Sequence, residues 1–128
     1  MSIEIKYDQN RKILSISISG KSNFDEYTSA LETITSSSDY PPNIRTLWDL
    51  RKADLSSANL NSIKEIVWIR SRFKQRDYCK VALLAPTNLQ YGISRMFQML
   101  IENKLPHELA IFRDYDEGEQ WLLGVRQQ

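Results

Sequence analysis

The residues of this chain that could do chemistry sit in a few short stretches. In Thr46-Leu-Trp-Asp-Leu50, followed by Arg51, the carboxylate of Asp49 lies beside a guanidinium. Just beyond, Ser56 and Ser57 lead into an amphipathic stretch. A serine at a helix start can take a phosphate or help bind an anion, because free amides and the positive dipole end face it. The same hydroxyl can simply cap the helix. Tyr91-Gly92, with Arg95 a turn later, offers a glycine for close backbone approach and a guanidinium suited to a carboxylate or headgroup. A plain helix start explains those residues equally well. General acid–base work needs a second titratable partner, and Asp49 has none at a useful spacing. Its ordinary role is to accept hydrogen bonds that fix the following loop.

The remaining reactive types add little. His107, the sole histidine, lies in the turn Leu105-Pro-His-Glu108, and Cys79 opens a strand whose burial makes a thiol inert. No metal-ligand spacing, serine elbow or phosphate-binding glycine loop occurs, and 4 glycines leave little to build one from. The residues point to binding without catalysis, metal or cofactor.

Periodicity supplies the elements that must position these groups. Ile3-Glu-Ile-Lys-Tyr7 alternates like a half-buried strand, and Ile13-Leu-Ser-Ile-Ser-Ile-Ser19 puts Leu14, Ile16 and Ile18 on one face. With a loop of about five residues between them, they form an antiparallel hairpin, and Gly20 punctuates the exit. Ser22 and Asn23 are candidate caps, with Asp25 and Glu26 at capping-box spacing, for a helix running to about Ser37. Pro41-Pro42 closes it. A strand follows from Ile44 to Leu50, a helix from about Ala58 to Gln75, and a strand from Tyr78 to Ala85. The run Val81-Ala-Leu-Leu-Ala85 suits a strand covered on both faces. A helix over Leu89–Asn103, a break at Pro106, a strand over Leu109–Phe112 and a helix over Asp116–Leu123 complete the chain. The order ββαβαβαβα predicts a single α/β domain: a mixed five-stranded sheet, hairpin at one edge, flanked by helices. Its sites belong at the carboxyl ends of the strands, where Asp49, Ser57 and Arg95 are expected to share a rim.

The order, together with Leu47-Trp-Asp49-Leu-Arg51, Val81-Ala-Leu-Leu84, Tyr91-Gly-Ile-Ser-Arg95-Met96 and Ile111-Phe-Arg-Asp114 with Trp121-Leu122, resembles the SpoIIAA-like family. That family is a bacterial branch of the STAS fold and is compared with CRAL-TRIO lipid carriers. The resemblance implies a non-catalytic module that binds a protein partner or an apolar ligand. Anti-sigma-factor antagonists of the STAS fold carry a phosphorylatable serine in an Asp-Ser-Ser/Thr-Gly-Leu type motif. Here the matching place reads Asp54-Leu-Ser56-Ser57-Ala-Asn, without the glycine.

Helical projection of the second helix gathers Leu60, Ile63, Ile66, Val67 and Phe73 on one face, with Ile69 at its margin. Arg70 falls within that stripe and is expected to snorkel or to pair with a carboxylate. Trp68 points away; with Arg72 it has the composition of a contact hot spot, unless a neighbouring helix covers the indole. Lys64, Arg70, Arg72, Lys74, Arg76 and Lys80 outnumber Glu65 and Asp77, as a solvated helix face or a surface for anionic headgroups or an acidic partner. In the third helix, Ile93, Met96, Phe97 and Leu100 form the core stripe, widened by Met99 and Ile101. As a movable flap, this helix would bring Tyr91, Arg95, Met96 and Met99 to the mouth of an apolar pocket.

Bulk composition narrows the partners. Lys plus Arg number 17 and Asp plus Glu 16, which gives no reason to expect nucleic acid. The sole cysteine excludes a disulfide framework and suits a reducing compartment. Neither a signal peptide nor a membrane-spanning run is visible, so the expectation is a cytoplasmic protein, with peripheral membrane contact left open. The first expectation is a regulatory protein-interaction module built on Asp49, Ser56, Ser57, Trp68 and Arg72. The second is a binder of a lipid or other small apolar ligand.

Overall fold

The computed structural model describes residues 2–21, 23–41, 43–73, 79–102 and 107–124. Expectations about Ser22, Pro42, Lys74, Gln75, Arg76, Asp77, Tyr78, Asn103 and Pro106 lie outside that set. The elements follow the expected order: β1 (Ser2–Asp8), β2 (Ile13–Lys21), α1 (Phe24–Ser36), β3 (Arg45–Asp54), α2 (Leu60–Ser71), β4 (Cys79–Leu84), α3 (Asn88–Ile101), β5 (His107–Phe112) and α4 (Tyr115–Leu123). They build a mixed five-stranded sheet in the sequential order β1-β2-β3-β4-β5. β1 and β2 pair antiparallel as the edge hairpin, and β2 through β5 are parallel.

That order decides where the helices go. Right-handed crossovers that step one strand at a time in the same direction all leave by the same face. Accordingly α1, α2 and α3 cover one face, burying Tyr27, Leu31, Ile34, Ile63, Val67, Phe97 and Ile101 on Leu14, Ile16, Trp48, Val81 and Leu83. α4, which follows the last strand, is free to take the other face. There Leu122 packs with Ile13, Leu47 and Ala82, flanked by Phe112 and Trp121. β4 lies beneath both layers, which accounts for its continuous apolar run.

Several local expectations are corrected. β3 does not stop near Asp49; it continues to Asp54 through a bulge, where Ser17 faces Asp49 and Ser19 faces Lys52. One residue of β2 therefore opposes two of β3. Neither Ser56 nor Ser57 caps α2. The Asn59 side chain accepts from the Ser62 amide at 3.0 Å, and the Ser62 hydroxyl accepts from the Asn59 amide at 2.8 Å. Leu60 is half exposed rather than packed on the sheet, whereas Ile69 is buried. Met96 and Met99 are exposed rather than part of the core stripe of α3, whereas Ile93, Phe97, Leu100 and Ile101 pack on the core as expected, and Gln90 and Ser94 are buried beside them.

Candidate functional site

A cavity of about 110 Å³ lies between the sheet and the three-helix layer. Its outer part is at the carboxyl ends of β2 and β3, where Ile18, Gly20, Leu50 and Leu55 meet Asn23 and Phe24 from the start of α1. Strand alternation brings Trp48 and Leu50 to this face, while Leu47 goes to the α4 side. Ile63 and Ile66 of α2 and Ile93 and Phe97 of α3 form the walls, and Tyr27, Trp48 and Leu83 lie deeper. The outer end of α3 is fastened over it. Gln90 Nε2 donates to the carbonyls of Leu50 at 2.7 Å and Ala53 at 3.3 Å, while Gln90 also completes a capping box with Thr87. An α3 pinned in this way does not act as a freely moving flap at that end.

The inner end is polar in an unusual manner. Arg70 is only 7 % exposed, and no described carboxylate pairs with it. Among the described residues the ion pairs involve Lys6, Arg11 and Arg51, not Arg70. Its Nη1 donates one long bond, 3.3 Å, to the Tyr27 hydroxyl. Its guanidinium carbon stands 5.3 Å from the centre of the Trp48 ring, which itself packs against Tyr27. The buried Nε of Arg70 has no partner, and neither has Trp48 Nε1 or Ser94 Oγ. All of these residues line the same cavity. An ion held this deep costs several kcal/mol. A cation–π contact and a hydrogen bond to a neutral phenol each return only about 2 kcal/mol. The guanidinium is under-compensated.

The expected site residues lie elsewhere and do not share one rim. Asp49 faces the α4 side, where Arg51 grips its carboxylate in a fork: Nε to Oδ1 at 3.0 Å and Nη2 to Oδ2 at 2.8 Å. The Arg51 amide adds a bond to Oδ1 at 3.0 Å, and the guanidinium lies over Tyr115 of α4. Burial raises the Asp49 carboxyl pKa, but the Arg51 bonds and charge outweigh it and hold the pKa below its usual value. The Tyr115 hydroxyl is pushed up, first by burial and then by the charge of Glu119. Ser56 donates its hydroxyl to Asp54 Oδ1 at 2.6 Å and its amide to the same oxygen at 3.0 Å, which lowers the Asp54 pKa. Ser57 is exposed beside it.

On α3, Arg95 bonds to Gln98 Oε1 and lines a separate groove of about 450 Å³ toward β5, with Met99, Glu102 and Leu109. Tyr91 is covered by Arg113 at 4.5 Å, and nothing lies within 4 Å of the place a Gly92 Cβ would take. Tyr91, Arg95, Met96 and Met99 are thus absent from the apolar cavity's lining, and Gly92 serves no close approach. Trp68 and Arg72 are brought together. Trp68 is 56 % exposed, with the Arg72 guanidinium 4.4 Å above its ring.

The cavity residues Trp48, Arg70 and Ser94 were not singled out as a site, although signals for them exist. Arg70 interrupts the apolar stripe of α2. Gln90, Ser94, Phe97 and Ile101 fall at intervals of four, three and four, so two polar side chains share the buried stripe of α3.

A hairpin-edged sheet with its crossover helices on one face and a cavity beneath them makes this an α/β protein of SpoIIAA-like fold. Among solved structures it is similar to an uncharacterized protein of the DUF3478 family, with a SpoIIAA-like fold, from Shewanella loihica PV-4. The TM-score is 0.62 at 20 % sequence identity, covering 94 % of this chain and 92 % of that one. At that identity the likeness speaks to the fold alone. No protein-family model matches the sequence, and neither does any curated protein.

Proposed function

We propose that the protein is a non-catalytic module that holds a small apolar molecule in the cavity beneath α2 and α3. The observation that carries this reading is the cavity itself: about 110 Å³ in volume and walled almost wholly by apolar side chains, with Arg70 and Ser94 among the lining residues. That is the chemistry of a small-molecule site. An engineered apolar cavity of about 150 Å³ takes benzene, so the scale suits a compact apolar body. Among the described residues the lining contains no carboxylate, imidazole or thiol to move a proton on the occupant, which supports holding over turnover. Native mass spectrometry of protein purified from cells tests the reading. A retained small apolar molecule, absent from a Ser94→Phe variant that fills the cavity, is expected. Consistently empty protein that also fails to displace a fluorescent apolar probe would overturn it.

One observation favours a second reading, a regulatory protein-interaction surface. An exposed tryptophan stacked by an arginine is the composition of a contact hot spot. Copurification with the Trp68→Ala variant tests it: a partner retained by wild type and lost by the variant supports the surface. The Asp54–Ser56–Ser57 corner would be its switch if phosphorylated, since phosphate on Ser56 breaks the bond to Asp54 and sets like charges together. Absence of phosphate on either serine in cells, with Ser57→Asp changing no interaction, removes the switch.

A further inference from the structure

We infer that the occupant of the cavity carries one carboxylate head on a compact apolar body, and that Arg70 receives this head at the inner end. The inference rests on the cavity reading above and names the class of ligand. The charge comes first. Arg70 is 7 % exposed and no described carboxylate pairs with it, while its Nε, the indole N–H of Trp48 and the hydroxyl of Ser94 lack partners. The three residues line one cavity, and their unpartnered atoms, themselves buried, can all donate; the complement of such a set is an ionised carboxylate: two oxygens, acceptors only, about four lone-pair sites. A neutral head could accept these hydrogen bonds but would bring no charge to balance the guanidinium.

The direction of entry follows from where charge is absent. At the outer part of the cavity, Ile18, Gly20, Asn23, Phe24, Leu50 and Leu55 offer no cation. An acid bound head-outward would meet only apolar side chains and one amide. Bound head-inward, it brings its charge to Arg70 and leaves its body against Ile63, Ile93 and Phe97. A single guanidinium balances a single negative charge. A phosphate monoester, close to a dianion at neutral pH, would keep one charge unpaired in an apolar site. The class is therefore an aryl-substituted or medium-chain alkyl monocarboxylic acid.

Isothermal titration calorimetry of the full chain at pH 7 tests this with matched probes: phenylacetate and hexanoate, against phenylacetamide and hexanamide. The acids are expected to bind at least tenfold more tightly than the amides. In Arg70→Met that preference should vanish while amide binding persists, and Arg70→Lys should restore part of it. Amides binding wild type as tightly as acids would overturn the carboxylate assignment and leave the cavity reading standing. Phenyl phosphate binding more tightly than phenylacetate would also overturn it. If neither acids nor amides bind, and benzene gives no shift of the Ile63 and Leu83 methyl resonances, the cavity reading fails with it. Should Arg70→Met not fold, the acid-against-amide comparison on wild type decides alone.

Discussion

Replacing Arg70 with methionine should leave the ligand-free protein as stable as wild type, or up to about 2 kcal/mol more stable. The expectation is opposite to the usual one for a buried charge. Breaking a buried ion pair by removing one partner costs about 3–5 kcal/mol, because the other charge is stranded. Arg70 strands nothing, because no described carboxylate pairs with it. What it loses is a 3.3 Å bond to a neutral phenol and a contact at 5.3 Å with the Trp48 ring. Together these are worth about 2–4 kcal/mol, against a desolvation cost of several kcal/mol for the ion. Methionine keeps most of the aliphatic packing, and its flexible thioether can settle over the indole. The Tyr27 hydroxyl gives up a donor, which trims the gain. Urea unfolding of ligand-free wild type and variant, with equal m-values, measures the difference. A variant less stable by more than about 1.5 kcal/mol would show that Arg70 is already well compensated. The case for an anionic occupant would then lose its physical basis.

Other substitutions test the scaffold. Gln90→Met removes the side-chain donor of both the Leu50 and Ala53 carbonyls, each worth about 1–3 kcal/mol when stranded, so urea unfolding should show a loss of about 2–6 kcal/mol; a loss under about 0.5 kcal/mol would dismiss the clamp. Leu122→Ala, at a side chain 1 % exposed, should cost about 2–5 kcal/mol by the same measurement and speed amide exchange in α4. Asp49→Asn addresses pH. Because the folded pKa of Asp49 is depressed, its contribution is present above the unfolded value, about 3.9, and is lost as pH falls through the lower folded value. The variant's urea midpoint should therefore fall less steeply below about pH 4 than that of wild type. Superimposable acid limbs would show that the Arg51 fork does not stabilise the folded state.

The order of elements was legible because the chain changes its apolar period between two and about 3.6 at each boundary, and caps and prolines mark the ends. The far end of β3 was not. Beyond Asp49 that strand pairs only with β2, since its ladder with β4 ends there. Arg51, Lys52 and Asp54 are held by backbone bonds with little burial, and hydropathy does not record a strand of that kind. The cap of α2 was misplaced for a related reason. Ser56 has the residue type of a cap, but its hydroxyl is committed to Asp54, which leaves the role to Asn59. The site was hidden more deeply. The stripe of α2 placed Arg70 on the apolar face, where it was expected to snorkel or to pair with a carboxylate, but one sequence cannot say what arrives from another element to meet it. Tyr27 and Trp48, from α1 and β3, come instead.

The adjacency of Trp48 and Asp49 has a consequence for how the molecule works. Successive strand residues point to opposite faces, so Trp48 lines the cavity beneath the crossover helices while Asp49 is locked by Arg51 on the α4 side. A forked carboxylate–guanidinium pair and a buried guanidinium without a described carboxylate are thus kept apart by the thickness of one sheet. The same alternation turns the Asp49 carboxylate away from an occupant of the cavity. Strand alternation in β3 therefore closes the Asp49–Arg51 pair on one face and sends no carboxylate from that stretch of β3 toward Arg70 on the other.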